Sequence, residues 1–315
     1  APAMAAGCTV VLKPSPETVL DAFRLAEAAE EAGVPPGVIN IVPADREAGA
    51  YLVAHPGVDK VAFTGSTAAG RAVGRACGEL LRPVTLELGG KSAAIILDDA
   101  ELDLDKIGED LFTATLLNNG QMCHLGTRVL APRSRYAEVV DLFTTLADSL
   151  TIGDALDPET RIGPLATPRQ RDRVEGYIAK GLADGGRITT GGGRPKSQDR
   201  GWFVEPTIFA DVDNRSTIAQ EEIFGPVLSL IPYDGTDDAI RLANESDYGL
   251  GGTVWTSDPE RGLAVARRVQ TGTVGINRFR TDLAAPFGGF KDSGVGRELG
   301  PEGLSNYLQY QSLYR

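Results

Sequence analysis

The sequence is poor in the residues that build metal centres and disulfide scaffolds. Its 315 residues include two histidines, His55 and His124, and three cysteines, Cys8, Cys77 and Cys123. No CxxC or HxxxH spacing occurs, which excludes a multi-histidine or thiolate metal site and any disulfide framework. Three scattered thiols fit a reducing compartment, so the expected location is cytoplasmic. No apolar run approaches the roughly 20 residues of a membrane span. With 31 basic against 43 acidic residues, a net charge of −12 and no Lys/Arg cluster, the chain is a poor match to nucleic acid. An initiator methionine is missing: the first methionine is Met4. Ala1–Gly7 lacks the basic start of a signal peptide and reads as the middle of a helix ending at Gly7, so the expectation is a processed, engineered or incomplete chain.

What is present is a normal globular composition. Hydrophobic residues make up 42% of the chain, which excludes disorder. The length suits one large domain or two, with a core that requires no staples.

Strands and helices alternate over the first ninety residues. Cys8–Leu12, Val38–Val42, Lys60–Phe63 and Val84–Leu88 read as strands. Thr18–Ala32, Glu47–Ala54 and Gly65–Cys77 read as helices, the first ended by Gly33 and Pro35-Pro36. This alternation predicts parallel βαβ units, with ligands beyond the carboxyl ends of the strands. After Gly89 the α/β character continues. Strands are expected at Ala93–Leu97, Val227–Ile231, Gly252–Trp255 and Gly272–Asn277. Helices are expected at Ile107–Leu117, Tyr136–Ser149, Asp237–Ser246 and Pro259–Val269. Gly185–Gly201 reads as a surface loop or hairpin, and Tyr307–Arg315 as a strand. There is no internal repeat.

Five segments carry possible chemistry. In Phe63–Gly70 a strand runs into a small-residue turn that opens a helix. Free backbone N–H groups and the helix dipole suit a phosphate there, although a plain turn capped by Ser66 or Thr67 has the same pattern. Glu87 lies among apolar neighbours at a strand end. It is either a carboxyl poised by burial as a general base or an exposed strand-end side chain. Cys123 sits in a glycine-flanked polar turn that lets a substrate reach the sulfur, whereas Cys8 and Cys77 read as structural. His124 follows it directly; adjacent side chains diverge, so His124 is badly placed to deprotonate Cys123 and is assigned as a loop residue. Glu221-Glu222 precede Phe224 and a Gly-Pro turn, as a ribose-binding carboxylate or a solvated acidic loop. Pro286–Glu298 contains four glycines and exposes backbone.

Taken together and in order, these segments resemble the aldehyde dehydrogenase superfamily across essentially the whole chain. The matching residues are Val10–Pro14, Phe63–Ser66, Glu87–Lys91, Gly120–Cys123, Glu221–Val227, Pro286–Gly289 and Ser293-Gly294. The resemblance implies an α/β fold, with a partial Rossmann-like cofactor domain followed by an α/β catalytic domain. Its ranges are 1–88 for the end of the dinucleotide-binding domain, 89–306 for the catalytic domain and 307–315 for an oligomerisation strand.

The implied reaction is oxidation of an aldehyde to a carboxylic acid with NAD(P)+. Cys123 is the implied nucleophile, passing through a thiohemiacetal and a thioester, and Glu87 activates the hydrolytic water. Glu298 matches a carboxylate proposed to relay protons. Lys13 is assigned to the adenosine ribose, Gly49 to the adenine side, and Gly65 and Ser66 to the pyrophosphate. Glu222 is assigned to the nicotinamide ribose, with Phe224 close by. Glu87 points to the hydrolysing branch rather than to transfer onto coenzyme A. The implied partners are a small-molecule aldehyde and, in a homodimer or homotetramer, other copies of the chain; neither nucleic acid nor membrane is implied.

The sequence departs from the family pattern in three places. Leu125 stands where the family has Ala. Pro16 stands three positions after Lys13, where NAD-preferring members often carry Glu; NAD is expected and NADP is possible. No residue corresponds to the Asn that completes the oxyanion hole in an earlier family segment. The chain is therefore expected to be N-terminally truncated and weakly active or inactive, since one such donor is worth about 10²–10³ in rate. Arg278 and Arg280 lie in the segment matching the family's substrate-entrance loop, either as partners for a carboxylate-bearing aldehyde or as surface charges.

Overall fold

The computed structural model describes residues 1–315. They form two compact units. One comprises Ala1–Glu87, Thr281–Gly288 and Gly294–Arg315; the other comprises Leu88–Arg280 and Gly289–Ser293.

In the first unit, Val10–Leu12 pairs in parallel with Ile39–Ile41, and the helix Val19–Glu31 crosses between them. Gly33, at φ +71°, supplies the left-handed backbone just past that helix, where Pro35 and Pro36 prevent its continuation. A second sheet has the order Gly294–Val295, Val84–Glu87, Val61–Thr64. Its last two strands run parallel, with Thr64 opposite Glu87, and the first is antiparallel, with Gly294 opposite Glu87. Helices Arg46–Ala54 and Thr67–Glu79 start on side-chain caps: Asp45 accepts from the Ala48 N–H, and Ser66 from the Ala69 N–H. Two short sheets cannot cover every apolar face in this unit, and Leu20, Phe23, Leu25, Val11 and Val42 stay exposed.

The second unit holds the large core. Its seven-stranded sheet has the order Gly275–Ile276, Gly252–Trp255, Ala93–Ile96, Arg128–Pro132, Val227–Tyr233, Thr207–Ala210, Arg187–Thr190. Every pairing is parallel except the last. The central strands are buried on both faces, which is why they read as continuous apolar runs rather than alternating ones. Ile95, Leu130, Val227, Val254 and Phe209 form the middle of that core.

Several elements differ from the sequence reading. Arg128–Pro132 is a central strand and Pro168–Ala183 a 16-residue helix, yet neither carries an obvious signal. The strand begins on a buried arginine and ends on a proline. The helix is polar, with only Val174, Tyr177, Ile178 and Gly181 buried. Of the loop or hairpin expected over Gly185–Gly201, the hairpin alternative holds in part: Arg187–Thr190 is an edge strand antiparallel to Thr207–Ala210, and the strand expected over Gly272–Asn277 shortens to Gly275–Ile276. Tyr307–Arg315 is not a strand. It has no sheet partner in this chain, and without a ladder its backbone has no reason to stay regular. The compact units also divide elsewhere than at the expected limits of 89–306 and 307–315. Residues 281–288 and 294–315 go with 1–87, because Gly294–Val295 completes the sheet beside Val84–Glu87 and Phe287 pairs with Glu298.

Candidate functional site

Within the first unit, the turn after Val61–Thr64 is held by the Gly65 N–H, which donates to the Glu87 carbonyl at 3.0 Å. A Cβ on Gly65 would lie 2.6 Å from Phe63 Cζ, so a larger residue there would have to push that ring aside. Ser66 then caps the 13-residue helix Thr67–Glu79, whose first turn carries no acidic side chain. The positive end of this helix, at the carboxyl end of a parallel strand, therefore keeps its attraction for an anion, and these residues fit a pyrophosphate. The Lys13 ammonium donates to the carbonyls of Pro14 at 2.6 Å and Ala44 at 3.1 Å. Its methylene stem lies over Gly49, where a Cβ would meet Lys13 Cδ at 3.1 Å. Lys13 and Gly49, far apart in sequence, are thus brought together. Pro16 opens a short 3-10 turn, and Glu17 accepts from the Ser15 hydroxyl at 2.5 Å.

Glu87 ends the central strand of the three-stranded sheet and is 4% exposed. Of the two sequence alternatives, it takes the buried one. Neither carboxyl oxygen has a hydrogen-bond partner. Burial and then the charge of Glu298 push its pKa up from 4.5 to about 8, against the opposing pull of Arg297. Glu298 is fixed by paired backbone hydrogen bonds of 2.7 Å with Phe287. Gly288 leaves room for the Glu87 carboxyl, since a Cβ there would sit 2.8 Å from Oε1.

Within the second unit, Cys123 follows a strained stretch. Asn118, Asn119 and Gly120 take φ of +53°, +59° and +72° in succession. Asn119 clamps this backbone by accepting from the Gly163 N–H at 2.7 Å and donating to the Pro164 carbonyl at 3.1 Å. Gln121 accepts from the Ala166 N–H at 3.1 Å. Gly90 packs so closely on the Cys123 carbonyl that no side chain fits there. Cys123 is partly exposed on this loop, whereas Cys77 is wholly buried in its helix with its thiol pushed up by that burial. Cys8 lies just ahead of the first strand, with its sulfur 4.0 Å from the Tyr307 carbonyl.

The neighbouring acidic pair separates into two roles. Glu221 accepts from the Tyr177 hydroxyl at 2.6 Å. Glu222 Oε1 accepts from the Gly90 N–H at 3.1 Å, and its Oε2 lies where a Cβ on Gly89 would come within 2.5 Å. Burial raises the Glu222 pKa, opposed by that N–H, Arg173 and Lys91. Phe224 is 37% exposed, with φ +60°. Met122, Leu125, Glu222 and Phe224 line one narrow cleft with Gly90 and Gly120, so the cysteine loop and the Glu222 segment meet there.

Two residues at this cleft escaped the sequence reading. Gln170 donates to the carbonyls of Ile223 and Phe224 at 3.0 and 2.7 Å, and Arg173 to the Glu222 carbonyl at 2.6 Å. Both lie in the helix Pro168–Ala183, one turn apart; recognising that polar helix was the signal that would have found them.

The second unit also buries two cations, Arg128 and Lys91. Arg128 donates to the carbonyls of Lys91, Leu242 and Ala243 and to Asn214 Oδ1, each at 2.9 Å. Lys91 is 1% exposed and its ammonium nitrogen has no hydrogen-bond partner. Burial, reinforced by Arg128 and opposed by Glu222, brings its pKa down to about 7.

His124 stacks on Phe279 with ring centroids 4.2 Å apart and planes 12° from parallel. Burial lowers its pKa to about 4, so the ring is neutral near pH 7. No helix is long and apolar enough to cross a membrane.

Residues 1–313 match the family model described as the aldehyde dehydrogenase family. Geranial dehydrogenase of Castellaniella defragrans is 61% identical over all of this chain and 65% of its own length. A crystal structure of a Mycobacterium tuberculosis aldehyde dehydrogenase with NAD+ superimposes with a TM-score of 0.95 at 53% identity, covering 98% of this chain and 63% of that one. A Pseudomonas syringae aldehyde dehydrogenase solved with NAD+ and octanal gives 0.94 at 42% identity, covering 98% and 64%. The chain thus spans about two-thirds of the length of the relatives it matches.

Proposed function

Since this chain belongs to the aldehyde dehydrogenase family, we propose that it carries out the oxidation of an aldehyde to a carboxylic acid with NAD(P)+ through a covalent intermediate on Cys123. NAD is the preferred cofactor and NADP the alternative; when bound, it supplies the hydride acceptor. Residues 1–87 serve to bind it. The Thr67–Glu79 helix start, with Gly65 and Ser66, receives the pyrophosphate. Lys13 takes the adenosine ribose and Gly49 lies on the adenine side. Glu222, clamped on the Gly90 N–H, takes the hydroxyls of the nicotinamide ribose, with Phe224 beside it.

The Cys123 thiolate adds to the aldehyde carbon, forming the C–S bond of a thiohemiacetal. Loss of hydride leaves a thioester on Cys123. Glu87 then takes a proton from water as the water oxygen attacks the thioester carbon. The C–S bond breaks, the acid leaves and the Cys123 thiolate is restored. Glu298 passes the proton from Glu87 outward. The observation that carries this reading is the Glu87 carboxyl: buried, free of hydrogen bonds and with a pKa near 8, it suits a general base. We further propose that the protein is cytoplasmic and that the segment 307–315 pairs copies of the chain into homodimers or homotetramers.

The test is aldehyde-dependent NADH absorbance from the gene product that contains this chain. Cys123→Ser should abolish it and leave no acylated protein by mass spectrometry. A full rate in Cys123→Ser, or no NADH with any aldehyde of a broad panel, would overturn the proposal.

A further inference from the structure

The aromatic pair beside the nucleophile has no part in the steps above. His124 follows Cys123 directly and is partly exposed, whereas Phe279 is 9% exposed and so serves as the fixed ring of the stack. Both rest on Gly251. A Cβ at that position would lie 3.2 Å from the His124 Cβ and 3.3 Å from Phe279 Cε2, so the bare backbone there lets the rings seat together. Phe279 lies between Arg278 and Arg280, which are exposed. The segment thus turns its aromatic residue inward and its guanidinium groups to solvent, against the carboxylate-binding alternative the sequence left open.

We propose that the His124–Phe279 stack is a specificity-determining wall beside Cys123 that fits the site to uncharged aldehydes with a flat, conjugated face. This rests on the proposed function of Cys123. A ring stacked within 12° of parallel offers a second planar group one flat surface, and offset stacking is worth about 0.5–1.5 kcal/mol beyond area burial. A neutral imidazole gives a carboxylate no ion pair to replace its lost hydration. Conjugated aldehydes therefore gain affinity over saturated ones, and carboxylate-bearing ones lose it.

Three four-carbon substrates separate these effects: crotonaldehyde, butanal and succinic semialdehyde. With the gene product containing this chain, kcat/KM for succinic semialdehyde should fall at least about tenfold below the other two. His124→Ala should lower the crotonaldehyde-to-butanal ratio of kcat/KM by roughly two- to tenfold, through KM rather than kcat. His124→Phe, which keeps a stack, should restore the ratio. Phe279→Leu should lower it as His124→Ala does, and serves in place of His124→Ala should that variant not fold. An unchanged ratio in both ring-deleting variants, or a preference for succinic semialdehyde, overturns the wall. No turnover of any aldehyde by the parent protein overturns the function of Cys123 itself, and the wall with it.

Discussion

Replacing Glu87 with Gln should make the protein more stable and less active, and the two effects share one cause. The folded protein holds the Glu87 proton up to a pKa of about 8, whereas the unfolded chain releases it near 4.5. Between those values the native state binds the extra proton, so its stability falls as pH rises. At 1.36 kcal/mol per pH unit the loss is about 3 kcal/mol by pH 7 and about 5 kcal/mol once the carboxyl is fully ionised. Gln is neutral in both states and carries no such slope. Glu87→Gln should therefore match the parent near pH 4.5 and exceed it by about 3 kcal/mol at pH 7, which for a chain of this size raises Tm by about 4 °C. The assay is thermal unfolding of both proteins across pH 5 to 8. Kinetically, parent turnover should rise with pH to a midpoint near the Glu87 pKa. The variant should lose about 10²–10⁴ in turnover while still forming the acylated thiol in a first burst. Parallel stability–pH curves for the two proteins would refute the argument, because a buried carboxyl with a raised pKa cannot leave that slope unchanged.

Two further substitutions test the surrounding charges. Glu298→Gln removes a charge that raises the Glu87 pKa, so the midpoint of the rate–pH profile should move to lower pH; Arg297→Gln should move it higher. Lys91→Met removes a buried amine that ionises near pH 7 when folded and near 10.5 when unfolded. The parent should therefore gain stability as pH rises from 7 to 10.5. The methionine variant should be more stable by about 1–4 kcal/mol at pH 7, as when buried charges are replaced by apolar groups, with the gap closing toward pH 10.5 in urea unfolding.

How far the site was legible depended on the range of each cause. Ser66 as a helix cap and Gly65 as a turn residue are local properties, and the order strand, small residues, helix displays them directly. Cys123 stood out from Cys8 and Cys77 by its polar, glycine-rich neighbours. Arg173 and Gln170 did not stand out, because their role is to hold the backbone of Glu222 and Phe224, which lies some fifty residues further along. The strand Arg128–Pro132 was hidden because the four acceptors that satisfy its arginine come from three distant segments.

The sequence by itself determined the α/β class and the family, and singled out Cys123 and Glu87 as candidates, because periodicity, turn chemistry and motif order are properties of neighbouring residues. Only the tertiary structure decided that Glu87 is buried rather than solvated. Only it separated Glu221 from Glu222, set His124 against Phe279, and left Tyr307–Arg315 without a strand partner. Each of these depends on desolvation or on contact between segments remote in the chain, and no local pattern encodes either.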